Sequence, residues 1–473
     1  MKGETYIIET LNEIAGADNV ISDSLSLDGY AHDGSFVKPL KPLCAVRPAD
    51  VEEVQAIVRL ANREKIALFP FSSGTTYQGA HIPSERGITV DLRRMNKIDL
   101  LDTVARNAII EPGVTFAQLA RAAQEKGLKP MTPVGIPEEA SVLATYLENT
   151  PLYLWPRYKT WETLNVKMVL PRGELMGTGQ MALPASDRPY HWATNFAVLN
   201  RLFFGAQGTL GIAVKAAVTL RNLVEHRKYL VLPLENIEKL PALSTTLMHQ
   251  EANDEYFVTN AAYFACLFAN DNAEIASLKK SLPPWLAVIG ISGNDEAEVA
   301  YKQLDIKDAL DRFGLKGDTA LPGMADLQSR LVREIDHPRG MLNQRRYKGG
   351  CSYIACMVSN AQLNPLYNLT LQHAQRQGEA PAELGWMIMP LNFGGSYYFE
   401  PNLYYSPEDG RAKELFLNIS KALIHAGAFF PRPYPLWAEE VYFRIGSYHR
   451  KIKMCKQLFD PNNIMNPGKL ALR

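Results

Sequence analysis

The sequence predicts an α+β protein built from two domains. Its 473 residues exceed what one ordinary hydrophobic core accommodates. Short apolar strand patterns alternate with amphipathic helix patterns through the first half of the chain. After about residue 225 the character of this alternation shifts. We therefore expect a first domain over residues 1–225, completed by a C-terminal return of residues 440–473, and a second domain over residues 226–439.

The beginning of the first domain shows a helix, a strand and a loop in succession. Apolar residues recur at helical spacing over Val51–Arg63, and Asp50 is placed to cap the start of that helix. A strand is expected at 66–69. It leads into Pro70–Ala80, which is rich in Ser, Gly and Thr.

The rest of the first domain is expected to be mainly strands. Strands are predicted at 88–92 and 107–111, followed by a helix that Thr115 caps and that ends near residue 126. A β-hairpin with a Pro-Arg-Gly turn is expected at 166–175. Residues 130–162 are irregular, and a loop of that length inside a domain is usually functional.

In the second domain, strands and helices are expected to alternate. A helix is predicted at Ile237–His249, and the strand candidates are Tyr229–Leu232, Trp285–Ile291, Ser352–Val358 and a strand within the aromatic stretch Trp386–Tyr405. Those aromatic side chains would either cover a pocket or form ordinary core.

Composition and charge exclude several classes of protein. Fifty basic and fifty acidic residues cancel, so we expect neither nucleic acid nor an anionic membrane as a partner. No apolar run is long enough for a transmembrane helix, and the N-terminus does not have the pattern of a signal peptide. Five scattered Cys predict a reducing, cytoplasmic location. The Cys and His spacings match no metal motif, so no metal site is expected.

The loop at residues 70–80 is the first candidate site. Its small residues let successive backbone N–H groups converge on an anion, and the hydroxyls can add donors. It contains no Lys, and it matches neither the P-loop nor the full dinucleotide pattern. Taken alone, it could equally be a surface loop of small residues. The residues concerned are Ser72, Ser73, Gly74, Thr75 and Thr76.

Six passages in order resemble the vanillyl-alcohol oxidase / 4-cresol methylhydroxylase family of flavoproteins. They are Arg47-Pro48 with its helix, the loop at 70–83, Glu111–Thr115, the hairpin at 166–175, Gly205–Ile212 and Asp460–Lys469. The resemblance implies a two-domain FAD-binding fold of the PCMH type, with an α+β cap domain over the flavin.

The same resemblance assigns residues to the cofactor. The loop Ser72–Thr76 would hold the FAD pyrophosphate on amides and hydroxyls. The residues implied along the ADP and ring portions are Gly113, Gly208, Thr209, Gly211 and Ile212, and those returning from the C-terminus are Asn466, Gly468 and Lys469. FAD is expected to be non-covalent, because no His lies in the pyrophosphate loop itself, although His81 is just beyond it. Tyr397 or Tyr398 could serve as a tether, but nothing requires one.

The substrate side resembles the para-alkylphenol branch of the family. Tyr77 and Arg432 stand where that branch binds a phenolate, and the catalytic acid would be Glu138 or Glu139 after Pro137. The alternatives are a packing Tyr, a surface Arg and solvated carboxylates. Tyr397, Tyr398 and Tyr434 are further expected substrate contacts. The family's run of Gly and its Asn-Ala pair are missing here, which puts the position of the acid in question.

The function implied is hydride transfer from the benzylic carbon of a para-substituted phenol, of the 4-cresol or 4-hydroxybenzyl alcohol type, to flavin N5. Two alternatives remain. One is an FAD-dependent dehydrogenase of an aliphatic hydroxy acid or sugar alcohol. The other is a flavoprotein subunit that passes electrons to a cytochrome or iron–sulfur protein. The resemblance also implies a homo-oligomer.

Overall fold

The computed structural model of the chain describes residues 3–153, 163–183 and 199–472. Helices and three β-sheets are both prominent in it, which confirms the α+β class. Two of the sheets are built from strands before residue 223, and the third is built from strands after residue 225. The domain boundary at 225/226 remains a prediction.

The first sheet is small and mostly parallel. In space its strands follow the order β1-β2-β4-β3, with β2 and β3 parallel to β4. Parallel strands of one sheet need a crossover connection, and α3 connects β2 to β3, which lie on either side of β4. The Asp50 carboxylate accepts the Glu53 backbone N–H, as predicted for the cap of that helix. The elements are β1 (Val20–Ile21), β2 (Cys44–Val46), β3 (Leu68–Phe71), β4 (Ile88–Asp91), α1 (Glu4–Ala15), α2 (Asp28–Ala31) and α3 (Val51–Glu64).

The second sheet is antiparallel and centred on β10. Its order is β5-β6-β10-β8-β9, and β7 also pairs with β10. Thr115 and Gln118 form a reciprocal capping box at the start of α4. The elements are β5 (Ile98–Asp102), β6 (Asn107–Ile110), β7 (Leu128–Pro130), β8 (Thr163–Val169), β9 (Leu175–Gly177), β10 (Ile212–Asn222), α4 (Phe116–Gln124) and α5 (Val142–Leu147).

The third sheet is antiparallel and carries an apolar core on each face. Its order is β11-β13-β12-β16-β17-β14, and β15 also pairs with β17. Successive residues of a strand point to opposite faces, so Phe399 joins one core and Tyr398 the other. The strands are β11 (His226–Leu234), β12 (Glu255–Asn260), β13 (Trp285–Gly293), β14 (Gly350–Tyr353), β15 (Cys356–Ser359), β16 (Gly385–Leu391) and β17 (Ser396–Tyr405).

Helices cover the third sheet, and the chain then returns to the first sheet. The Ile464 carbonyl accepts the Leu68 N–H at 2.7 Å, and the Asn466 N–H donates to the Leu68 carbonyl at 2.8 Å. The helices are α6 (Leu240–His249), α7 (Ala261–Phe268), α8 (Asn272–Ser281), α9 (Glu296–Asp311), α10 (Leu327–Asp336), α11 (Met341–Arg346), α12 (Leu363–Arg376), α13 (Ala412–His425), α14 (Pro435–Arg444) and α15 (Gly446–Phe459).

Three local predictions were wrong. The strand expected at 352–358 is two strands, β14 and β15, interrupted at residues 354–355. The stretch 386–405 is a hairpin of β16 and β17, because a turn at 392–394 with Phe393 at φ 56° reverses the chain. The irregular stretch 130–162 contains the helix α5, and its residues 154–162 lie outside the described part of the chain.

Candidate functional site

A long cleft runs between the loop after β3, helix α5 and the start of β10. Its volume is about 1090 Å³, including the part open to solvent, which is ample for a large cofactor. The C-terminal return contributes Asn466 to its wall. The loop residues that line the cleft are Pro70, Phe71, Ser72, Ser73, Gly74, Thr75, Thr76, Ala80 and His81.

The loop Ser72–Thr76 has the geometry of an anion cradle. Gly74 adopts φ +68°, and a Cβ there would lie 2.9 Å from the Phe71 ring, so only glycine fits. The Ser73 and Thr75 hydroxyls are 3.1 Å apart, and Ser73 Oγ accepts the Ser141 N–H at the start of α5. All five residues line the cleft, so their hydroxyls and the small-residue backbone are placed where they can bind a diphosphate.

Glycines at the start of β10 form another wall. Gly208 has φ +69°, and a Cβ there would lie 2.9 Å from Pro70 Cγ. Gly211 has φ +153°, and its Cβ would lie 2.8 Å from the Val169 carbonyl oxygen. Both glycines line the cleft, together with Ile212. Side chains at these positions would close the space that a cofactor needs.

Two other predicted cofactor residues shape the wall from behind. The Thr209 hydroxyl donates to the Ala206 carbonyl at 2.7 Å. Gly113 packs against the backbone, where a Cβ would lie 2.6 Å from the Arg93 carbonyl oxygen. Neither residue lines the cleft itself.

The C-terminal residues mainly hold the loop in place, and one of them also lines the cleft. Asn466 does line it, and its Nδ2 donates to the Gln207 carbonyl at 2.6 Å. Lys469 is buried, and its Nζ donates to the carbonyls of Gly79 and Ile82 at 2.8 and 2.7 Å. Burial lowers the pKa of this ammonium group to about 8. Gly468, at φ +80°, permits the turn that brings Lys469 inward.

A polar cluster at the cleft brings together Arg432, Glu148 and Tyr434. Arg432 is buried, and its Nη1 donates to Thr150 Oγ1 at 3.2 Å. The Tyr434 hydroxyl donates to Glu148 Oε2 at 3.4 Å. Glu148 and Thr150 line the cleft, whereas Arg432 and Tyr434 contact these two residues and are not part of the lining.

The Glu148 side chain holds its proton unusually well. Burial raises its pKa to about 7, although Arg432 and the Tyr434 hydrogen bond act in the opposite direction. Protein surrounds the group, but part of it remains accessible from the cleft. Near neutral pH this carboxyl group can therefore both release and accept a proton.

A second carboxyl group, Glu400, influences the same arginine from strand β17. Its oxygens accept hydrogen bonds from the Tyr398 hydroxyl and, at 3.0 Å, from Asn402 Nδ2. Burial raises its pKa, and the nearby Arg432 charge opposes that rise. Protonation of the two carboxyl groups leaves the charge of the Arg432 guanidinium less neutralised. The cluster then favours an anionic ligand.

The structure places the predicted catalytic residues in three different environments. Arg432 lies in the cluster described above. The Tyr77 ring lies under the guanidinium of Arg345, at 4.7 Å, and is not part of the cleft lining. Glu138 Oε2 pairs with His337 Nδ1 at 2.9 Å outside the cleft, and its neighbour Glu139 is exposed.

The predicted substrate tyrosines are also divided. Tyr434 contacts Glu148, and Tyr398 shares the Glu400 side of the third sheet. Tyr397 points to the opposite face, into the core with Phe399, because strand residues alternate.

Sequence reasoning missed Glu148, which lies immediately after α5. The available signal was a short apolar helix, Val142–Leu147, with Ser141 as its N-cap. The Ser141 hydroxyl accepts the Ala144 N–H at 3.1 Å. Glu148 follows the last residue of that helix and so reaches the cleft, whereas Glu138 precedes the helix and lies outside the cleft lining.

Comparison with known proteins identifies the cofactor of the cleft. Residues 42–179 match the family described as FAD binding domain. The chain is 27% identical over 268 residues to an uncharacterised FAD-linked oxidoreductase of Mycobacterium tuberculosis, covering 56% of each. It is 28% identical over 237 residues to D-2-hydroxyglutarate dehydrogenase of Stutzerimonas stutzeri, covering 50% of this chain and 49% of that protein. The chain thus spans about half the length of these relatives.

The fold is shared with solved flavoproteins. The 4-ethylphenol oxidase of Gulosibacter chungangensis, solved with isoeugenol, superposes with a TM-score of 0.85 at 19% identity, covering 99% of this chain and 97% of that one. The chain therefore has the two-domain α+β fold of PCMH-type FAD-binding proteins, as predicted. FAD is its cofactor, and the glycine walls and hydroxyl cradle of the cleft fit that molecule.

The described residues contain neither a membrane-spanning helix nor a metal-binding cluster. Over residues 3–153, 163–183 and 199–472, no helix combines the length and apolar character needed to cross a membrane. Within the same ranges, no three or more His, Cys, Asp and Glu side chains group as they would around a metal ion.

Proposed function

We propose that the protein is an FAD-dependent oxidoreductase that removes a hydride from the benzylic carbon of a para-substituted phenol, of the 4-cresol or 4-hydroxybenzyl alcohol type. The observation that carries the proposal is the buried Arg432 beside Glu148 and Tyr434 at the cofactor cleft. The fold of a 4-ethylphenol oxidase supports it. FAD, when bound, supplies a ring that accepts two electrons as a hydride.

Arg432 has the central role in this proposal. A free phenol has a pKa near 10. A buried cation lowers the pKa of a phenol bound beside it and stabilises the phenolate. The negative oxygen donates electron density through the ring, so a hydride can leave the para-benzylic carbon and a quinone methide results. Tyr434, next to Arg432 in the cluster, helps to orient the substrate.

Glu148 is proposed as the residue that handles a proton. Water adds to the quinone methide at the benzylic carbon, which releases one proton and restores the phenolate beside Arg432. A carboxyl group with a pKa near 7 can take that proton at neutral pH. For an alcohol substrate, the same group can take the hydroxyl proton as the hydride leaves.

Tyr77, Glu138 and Glu139 remain predictions as catalytic residues. Contact of Tyr77 with a phenolate would require its ring to reach the cleft from beneath Arg345. Glu138 would have to leave His337 to take part in the reaction. The geometry therefore favours Glu148 over Glu138 and Glu139 as the acid.

A second candidate function is oxidation of an aliphatic 2-hydroxy acid. The similarity to D-2-hydroxyglutarate dehydrogenase favours it, and a guanidinium binds a carboxylate as readily as a phenolate. In that reaction Arg432 would hold the substrate carboxylate, and Glu148 would take the proton of the 2-hydroxyl group.

Anaerobic bleaching of the flavin absorbance distinguishes the two functions. The purified holoprotein is mixed with 4-cresol, 4-ethylphenol and 4-hydroxybenzyl alcohol, and separately with D-lactate, glycolate, D-2-hydroxyglutarate and xylitol. We expect bleaching by the phenols and its loss in Arg432→Met. Bleaching by hydroxy acids alone would contradict the phenol proposal, and bleaching by neither group would contradict both.

The electron acceptor and the assembly form the last part of the proposal. Slow reoxidation of the bleached protein by oxygen, with fast reoxidation by an added one-electron acceptor, would support transfer to a cytochrome or iron–sulfur partner. Fast reoxidation by oxygen would support an oxidase.

We also propose non-covalent FAD and a homo-oligomer. Acid precipitation should leave the pellet colourless, and light scattering should give at least twice the monomer mass of 52.8 kDa.

A further inference from the structure

The cap domain, residues 226–439, contacts three consecutive residues at the end of the cofactor loop. The Tyr353 hydroxyl donates to the Thr76 carbonyl at 3.0 Å. The Arg345 guanidinium lies over the Tyr77 ring at 4.7 Å. Gln78 Nε2 donates to the Tyr353 carbonyl at 2.9 Å. The loop is thus held from the cap by two hydrogen bonds and a cation–π contact.

The centre of this contact is buried and belongs to the framework of the cap. Tyr353 and Gln78 are 7% and 3% exposed. Tyr353 ends β14 and pairs with Asn402 of β17, the strand that carries Glu400. Removing one partner of a hydrogen bond costs more free energy when the bond is shielded from water, because the remaining polar group stays buried without a partner. The contact is therefore too enclosed to be an incidental surface touch.

The held part of the loop is also locally strained. Tyr77 adopts φ +50°, which a residue with a side chain adopts rarely. Such a conformation persists only where the surroundings hold it. Arg345 is one of the residues that hold Tyr77 in this conformation. Its guanidinium also packs against Gly34, where a Cβ would lie 2.6 Å from Nη2. Thr76 lines the cleft, so the position of its backbone bears directly on the cofactor.

Tyr353 also lies within the electrostatic reach of the proposed substrate site. Burial raises the pKa of its hydroxyl well above the usual range, and the nearby Arg432 charge is the largest opposing influence. One side chain thus borders the cation of the substrate cluster and bonds the backbone of the cofactor loop.

We infer that Tyr353 is a positioning residue through which the cap completes the FAD site, so that ordering of the cap and retention of FAD occur together. The inference rests on the proposed function only in taking FAD as the cofactor of the cleft. FAD binding orders the loop at Thr76–Gln78, and the loop in turn fixes the end of β14. By linkage, the factor by which the ordered end of β14 strengthens FAD binding equals the factor by which FAD stabilises that ordered end.

The test compares Tyr353→Phe with Tyr405→Phe in the full-length holoprotein. Tyr405 lies opposite Gly350 in the same strand pair, and its hydroxyl bonds Ser352 Oγ at 2.8 Å, not the loop. FAD release is followed by the rise in flavin fluorescence after dilution. We expect Tyr353→Phe to weaken FAD binding about five- to tenfold, as for loss of one buried hydrogen bond, and Tyr405→Phe to leave it within twofold of wild type.

Hydrogen exchange separates coupling from a merely structural role. In the wild type, removal of FAD should speed exchange of the backbone amides at 72–79 and also at 350–353. In Tyr353→Phe, removal of FAD should affect 72–79 but no longer 350–353. Gln78→Met, which breaks the other hydrogen bond, should have the same effect and serves if the first variant fails to fold.

Each result bears on one idea. If the wild type binds no FAD, the proposed function fails. If the wild type binds FAD but Tyr353→Phe and Gln78→Met retain FAD as tightly as the wild type, only the coupling through Tyr353 is overturned. The same conclusion follows if FAD removal leaves exchange at 350–353 unchanged in the wild type.

Discussion

Replacing Glu148 by Gln tests the proton-handling group of the proposed site through its effect on stability. The pKa of Glu148 rises from 4.5 to about 7 in the folded protein, chiefly because burial disfavours the charged form. Between these values the folded state binds more protons than the unfolded state. The free energy of unfolding therefore falls as pH rises from about 4.5 to 7. Below this window the penalty is absent, and above it the penalty is complete.

The size of the penalty follows from the two pKa values. At 1.36 kcal/mol per pKa unit, the rise from 4.5 to about 7 gives an upper bound of about 3 kcal/mol. Part of the side chain is accessible from the cleft, and solvent there reduces the penalty to about 1–3 kcal/mol. Gln is neutral at every pH and can still accept the Tyr434 hydroxyl. The difference in free energy of unfolding, Glu148→Gln minus wild type, should therefore be about 1–3 kcal/mol larger at pH 8 than at pH 4.

Urea unfolding of the holoprotein with excess FAD, at several pH values from 4 to 8, measures this difference. Exposed Glu139→Gln is the matched control and should show no such dependence. The pH profile of flavin reduction gives a second readout: a step near pH 7 should be present in the wild type and absent in Glu148→Gln. A constant stability difference between variant and wild type at all pH values would refute the reasoning about burial. A step near pH 7 that survived the substitution would remove Glu148 as the proton-handling group.

Three further predictions concern Arg432, the glycine wall and a buried ion pair near the C-terminus. Arg432→Met should abolish flavin reduction by phenols while the flavin absorbance stays normal, and unchanged reduction in stopped-flow assays would contradict the anion site. Gly211→Ala places a Cβ 2.8 Å from the Val169 carbonyl oxygen at φ +153°, so the protein should be purified without yellow colour and should lose about 1–3 kcal/mol. Full FAD occupancy in Gly211→Ala would contradict the proposed role of the glycine wall in FAD binding. Lys456→Met leaves the buried Asp460 carboxylate without its partner and should cost about 3–5 kcal/mol in denaturant unfolding. A loss below 1 kcal/mol would show that the pair contributes little.

The parts of the fold that follow from local rules could be predicted from the sequence. Helix α3 has a clear helical period and a good N-cap at Asp50, and the structure places it within one residue of the prediction. The glycines of the cleft were also identifiable, because close approach of backbone leaves no alternative residue. Gly74, Gly208 and Gly211 all show positive φ and blocked Cβ positions.

The parts that depend on distant contacts could not be predicted. Glu138 and Glu148 are ten residues apart, and neither has sequence neighbours that mark it as the catalytic acid. Tertiary packing distinguishes them. Helix α5 packs along the cleft, which Glu148 lines, while Glu138 pairs with His337 just after α10. In the same way, the lysine expected beside the flavin bonds two loop carbonyls, because the turn at Gly468 directs Lys469 inward.

The proposed site around Arg432 bears on the charge of the proposed substrate more directly than on its carbon skeleton. Two carboxyl groups, Glu148 and Glu400, adjoin this arginine, and burial raises the pKa of both. An arrangement that served only to neutralise the guanidinium would keep these groups ionised, with their pKa values lowered. Their raised pKa values instead favour the protonated carboxyl groups near Arg432, which suits the proposed ligand, one that arrives or becomes anionic as it is oxidised. Phenols and 2-hydroxy acids both satisfy that condition, whereas a neutral sugar alcohol such as xylitol does not, so xylitol should be the poorest reductant of the flavin.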